Sequence, residues 1–241
     1  MSEELLIDEH VPEKEEHRSF RNYMRDVTLG ANDGLVSVFA LVLGVAGSGF
    51  LPREVLLAGI AAAVAGAISM AIGEYLSTKS QEEVYNSERA VEMDHIQNHR
   101  EHEIEELYEF YEAKGFEGEI LDTIVETIAA DDQILLDEMM MAEFGVIEEQ
   151  RRSPITATLV VGIAFFIGSI PPVLPFFFVS KTINGIIISS IASIIGLYGV
   201  GAVKAFYARS KPLRAGVENL LLGAAGAAVT YGIGFLIGGS V

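Results

Sequence analysis

The stretch "RDVTLGANDGLVSVFALVLGVAGSGF", residues 25–50, decides how this chain is read. Beyond its first two residues it is apolar, small or uncharged polar except at Asp33, which sits between Gly30 and Gly34. If the run crosses a membrane, an aspartate near its middle costs about 2.5–3.5 kcal/mol to insert, so the side chain needs a reason to be there. The rest of the chain settles whether it crosses.

Half of the residues are hydrophobic, yet the chain carries 34 acidic groups against 16 basic ones, a net charge of −18. Oily and charged character are kept apart, which points to two environments, and the acidic balance gives no footing for nucleic acid. Charge-poor windows fall at 27–51 (only Asp33 charged), 55–78 (only Glu74), 153–180, 182–203 and 219–241. An apolar helix of about 20 residues covers the hydrocarbon core, so these five windows predict five spanning helices of an all-α integral membrane protein. Buried helices of a soluble protein are the competing reading.

Lysine and arginine near the span ends set the expected orientation. Arg18, Arg21 and Arg25 precede the first span, Lys79, Arg151 and Arg152 flank a long insert, and Lys204, Arg209, Lys211 and Arg214 join the fourth and fifth spans. The other two connections offer only Arg53 and Lys181. The N-terminus and the insert are therefore expected in the cytoplasm and the C-terminus on the opposite side. Residues 1–24 are polar and acidic, unlike a signal peptide, and read as a flexible tail holding His10 and His17. Without cysteine there are no disulfides, thiolate metal sites or cysteine nucleophiles. The expected organisation is a tail at 1–24, two spans at 25–78, a cytoplasmic helical domain at 79–152 and three spans at 153–241.

The insert carries 22 acidic and six basic residues, nearly all of the chain's net charge. Its first half continues as helix out of the second span, with a break near Asn98. Its second half repeats Leu121, Ile124, Val125, Ile128, Leu135 and Met139 at helical spacing. Gly115, Gly118 and Gly145 look like helix ends or turns. A bundle of three or four helices fits. Residues three or four apart share a helix face, so Glu88, Glu92 and His95 form one stripe, Glu103 and Glu106 another, and Met139, Met140 and Glu143 a third. Carboxylate, imidazole and thioether together favour Fe(II) over Ca(II). From spacing alone, a metal site and a solvated acidic face both stay open.

Assembled, the chain resembles the vacuolar iron transporter family over nearly its whole length. "RDVTLGANDGLVSVFALVLGVAG" looks like that family's first membrane helix, supported by "AISMAIGEYLSTKSQ", "ELYEFYEAKGF" and "RRSPITATLVVGIAFFIGSIPPVLPF". The resemblance implies a homodimer that moves Fe(II), with Mn(II) as a second substrate, out of the cytosol in exchange for protons. The metals are cargo, and no cofactor is implied. Carried over position by position, it puts Asp26, Asp33, Met70 and Glu74 on the pathway between the two copies. It puts Glu92, Glu103, Glu106, Met139, Met140 and Glu143 in the metal-binding domain. His95 stands where the family pattern leads one to expect another glutamate; imidazole can still ligate iron.

Asp26 and Asp33 are seven residues apart, two helical turns, so one face of the first span carries both; Met70 and Glu74, four apart, share a face of the second. Gly30 and Gly34 permit close approach of another helix, which fits a dimer seam where two copies of Asp33 meet. Facing carboxylates raise each other's pKa and would exchange a proton for a metal ion. Asp33 as an interhelical hydrogen-bonding group is the structural alternative. Pro171, Pro172 and Pro175 are expected to kink or end the third span, and Asn184 and Asn219 to bond between helices. A membrane-anchored ferritin-like di-iron oxidase is the enzymatic alternative, but it needs two E-x-x-H motifs and the insert has only Glu92 to His95. A membrane scaffold leaves the carboxylates in the spans unexplained.

Overall fold

A computed structural model describes residues 12–145, 152–207 and 209–238. The chain divides into two compact units, Met1–Tyr75 with Pro154–Val241, and Leu76–Ser153. Among the described residues five helices are long and apolar enough to cross a membrane, as the charge-poor windows predict.

In the first unit these are α1 (Pro12–Gly47), the leading part of α2 (Pro52–Asn98), α6 (Pro154–Gly168) with its extension, α8 (Thr182–Tyr207) and α9 (Pro212–Gly238). Helix α1 begins at Pro12, so the second half of the expected tail, including His17, is helix continuous with the first span. Proline at a first helical position loses no hydrogen bond, because that N–H has no partner in the helix anyway. His10 lies outside the described residues. After α6 the prolines act as expected. The helix stops at Gly168 and the span finishes as a short α7 (Ile170–Val173) and a 3-10 turn (Leu174–Phe177). Carbonyls at this break find side-chain donors: Ser189 donates to Pro172 O at 2.8 Å, and Ser169 to Phe165 O at 2.8 Å.

Helix α1 is the hub of this unit, and glycines let its neighbours reach it. A Cβ on Gly30 would stand 2.6 Å from Val161 O, and one on Gly34 would run into the Phe165 carbonyl. Both glycines are therefore filled by α6 of the same chain. This corrects the expectation that they open a seam to a second copy: the close approach is real, but it is intrachain. At the other end, a Cβ on Gly234 of α9 would strike Gly44 O, and Ser48 Oγ donates to Gly234 O at 2.9 Å. Asn219 donates to Asn32 Oδ1 and to Leu197 O, both at 2.8 Å, and so joins three helices as foreseen. Asn184 is exposed, and among the described residues no side-chain hydrogen bond supports an interhelical role for it.

In the second unit, α2 continues to Asn98 without interruption, and α3 (Arg100–Ala113), α4 (Gly118–Ala129) and α5 (Asp132–Phe144) complete a four-helix arrangement among the described residues. Its core joins Tyr85, Ile96, Leu107, Leu121, Val125, Leu135, Leu136, Met139 and Met140. Of the apolar positions read from the sequence, Leu121, Val125, Leu135 and Met139 are in this core and Ile128 packs against it, whereas Ile124 is only half-buried. Asp131 caps α5, accepting from Gln133 N at 2.8 Å and Ile134 N at 3.2 Å. Gly145 ends it with φ of 65°, a conformation open to glycine at little cost.

Candidate functional site

The last turns of α2 carry Glu92 and His95 on one face. At Asn98 the helix ends, His99 turns the chain with φ of −134°, and α3 returns with Glu103 and Glu106 one turn apart. Arg100 fixes the angle of this return by pairing with Asp132 at 2.6 Å and donating to Ala129 O, which ties the start of α3 to the turn before α5. The final turn of α5 then supplies Glu143.

Glu92, Glu103 and Glu143 each offer an oxygen, and the three lie within 4.8 Å of one another. Glu92 and Glu103 are 3% and 1% exposed, and Glu92 Oε1 and Glu103 Oε2 are buried with no hydrogen-bond partner. Buried carboxylate oxygens are costly to leave unmatched, so the pair calls for a cation or a proton. Burial first, then the hydrogen bond with Glu103 and that group's charge, then Glu143 and Glu106, push the Glu92 carboxyl up to about 8. Glu143 is also raised, by burial and then by Glu106 and Glu103, with His95 opposing. Both shifts favour the protonated form of these carboxyls. His95 Nδ1 lies 3.5 Å from Glu103 Oε1, and His102 Nε2 lies 3.3 Å from Glu106 Oε1. His95 thus borders the triad at Glu103, and Glu106 borders it through its hydrogen bond with Glu143. Glu88 is half-buried but stands outside it. Met139 and Met140, expected to face the same site, are buried in the core of the bundle.

The membrane residues are arranged differently. Asp26 and Asp33 point within about 20° of each other along α1, yet Asp26 is 1% exposed while Asp33 is on the surface of the chain. Met70 is half-buried against the cluster containing Val38, Val42, Phe165 and Phe176. Glu74 is half-buried one turn later. Among the described residues these carboxylates form no group like the one in the second unit. Asn32, the partner of Asn219, lies beside Asp33 and escaped the sequence reading; an asparagine next to a membrane carboxylate was the available signal.

One unit groups three carboxylates, and the other spaces its carboxylates along apolar helices. Comparison with known proteins gives three findings. Residues 24–235 match the VIT family. Vacuolar iron transporter 1 of Tulipa gesneriana is 31% identical over 95% of this chain and 92% of its own length, and that of Arabidopsis thaliana is 31% identical over 95% and 90%. Protein CCC1 of Saccharomyces cerevisiae is 28% identical over 84% of this chain and 66% of its own length.

Proposed function

The chain belongs to the VIT family, a family of transporters rather than enzymes, and on that premise we propose that it carries Fe(II), with Mn(II) as a second substrate, out of the cytosol in exchange for protons. The observation that carries the reading is the pair of buried, unpartnered oxygens of Glu92 and Glu103 beside Glu143. Hard oxygen donors with imidazole from His95 nearby suit Fe(II) and Mn(II). In this reading the acidic unit gathers metal, and Asp26, Asp33, Met70 and Glu74 carry it through the membrane unit.

The exposure of Asp33 supports a pathway completed by a second copy. A carboxylate on the lipid-facing surface of an isolated chain is costly, and two copies meeting there would share the cost with metal or protons. A site that must bind and release gains from partial hydration and from the mixed oxygen and sulfur donors of Asp33, Glu74 and Met70. Orientation with the N-terminus and acidic unit in the cytoplasm and the C-terminus opposite follows from the lysine and arginine bias. The test is flux into proteoliposomes with Fe(II), Mn(II), Co(II) and Zn(II), with and without a pH gradient. The expected result is Fe(II) and Mn(II) uptake driven by an opposing proton gradient. Uptake indifferent to the gradient removes the exchange, and no metal uptake removes the function.

A further inference from the structure

Within the membrane unit the middle of α1, the end of α8 and the first turns of α9 enclose an open cleft that none of the proposed metal residues lines. Its wall divides by chemistry. Arg25 from α1, Lys204 from α8 and Arg209 from the following connection set three cations against one carboxylate, Glu218, while Leu29 and Leu222 make an apolar side. Among the described residues no ion pair engages any of the three cations. The polar floor is already satisfied, because Asn219 spends its donors on Asn32 and Leu197 O.

Arg209 is the one described residue other than glycine with positive φ, at 51°. An L residue adopts this left-handed conformation at a cost. The turn is held by Arg209 N to Phe206 O at 3.2 Å and Ser210 N to Ala205 O at 2.9 Å. Strain of this kind persists where the surroundings impose it and is a pointer to function. Here it accompanies a guanidinium at the rim of the cleft.

The charge excludes a divalent metal, which three cations repel. A free small anion would find the cations but would leave the apolar wall without a role. A molecule with a phosphate at one end and hydrocarbon at the other matches both halves, and the cleft lies at the end of the spans where basic residues gather. We propose that this cleft binds the phosphate headgroup of an anionic phospholipid, with an acyl chain running along Leu29 and Leu222. The site is independent of the metal residues and does not rest on the transport reading.

The test is native mass spectrometry of the full chain in detergent, titrated with phosphatidylglycerol or phosphatidylcholine. The variants are Lys204→Gln with Arg209→Gln, and, as a control, Lys211→Gln with Arg214→Gln, cations of the same connection that do not line the cleft. All four positions are exposed, so the fold should persist. The expected result is selective retention of phosphatidylglycerol, weakened on the order of tenfold by the first pair and little by the control. Equal loss with both pairs means a diffuse basic rim and overturns the proposal. So does displacement of the lipid by millimolar inorganic phosphate, which would make the site one for free anions. Dissociation of a dimer by the first pair without lipid dependence would show that a second copy fills the cleft, and would also overturn it.

Discussion

Helix α2 runs through both units and behaves differently in each. In the membrane unit its Leu57, Ile60, Val64, Ile68 and Ile72 are exposed, whereas in the acidic unit its Tyr85 and Ile96 are buried against α3, α4 and α5 residues. Where lipid is the solvent, an apolar side chain need not be covered, and helices are held by backbone contacts such as Gly34 on Phe165 and Gly234 on Gly44. In the acidic unit only burial removes apolar surface from water, so a packed core forms and carries Glu92 and Glu103 into its edge. The two units thus present carboxylates in opposite settings. Glu92 and Glu103 are buried and close together, each with one oxygen lacking a partner; Asp33 is single and open.

The largest effect is expected on the membrane side. Asp33→Asn keeps size and hydrogen bonding but removes charge and titration, so Fe(II) flux and coupled proton movement should fall together by on the order of a hundredfold. Metal binding by the acidic unit should be unchanged, as calorimetry on the full chain would register. Wild-type flux would make the carboxylate structural.

The acidic side should respond with two opposite signs. Glu92→Gln with Glu103→Gln removes charge that burial disfavours, so the melting temperature in the absence of metal should rise above pH 8, while Fe(II) affinity drops by about 10- to 100-fold. A melting temperature that falls with affinity intact would mean that the pair is structural.

Protonation sharpens the contrast further. The Glu92 carboxyl is raised from 4.5 to about 8 in the folded chain. The folded state therefore holds the extra proton: this contribution to stability is fully present below about 4.5 and is lost as pH rises through about 8. Metal must displace that proton, so binding below pH 8 should release one and affinity should climb toward pH 8. Calorimetry in buffers of different ionisation enthalpy reads the release; a constant heat across buffers contradicts it. The smallest effect belongs to the cap of α5, where Asp131→Ala should cost about 1 kcal/mol and leave flux intact, measured as a small drop in the acidic unit's melting temperature.

Much of the contrast is legible in the sequence. Absence of charge over some 20 residues marks a span whatever its neighbours, and periodic Leu121, Val125 and Leu135 mark a helix face that must be covered. What escapes is identity of partners. Gly34 announces that a helix comes close, but only the fold says that it is α6 rather than a second copy. Met139 and Met140 fit a ligand set or a core equally well by spacing, which does not show that both are buried in the bundle. Arg25, Lys204 and Arg209 lie far apart in sequence, and nothing local shows that they share one cleft. His95 is plain as an E-x-x-H, yet its place beside Glu103 depends on the turn at His99.

The central claim is that the acidic unit gathers metal while the membrane unit passes it, and flux measured against Fe(II) concentration for Glu103→Ala with Glu106→Ala tests it most directly. The expected result is a higher half-saturating concentration with the maximal rate retained, because the passage through Asp33 is untouched. An equal fractional loss at saturating and at limiting metal would contradict the division of labour and make the carboxylates of the acidic unit part of the passage itself.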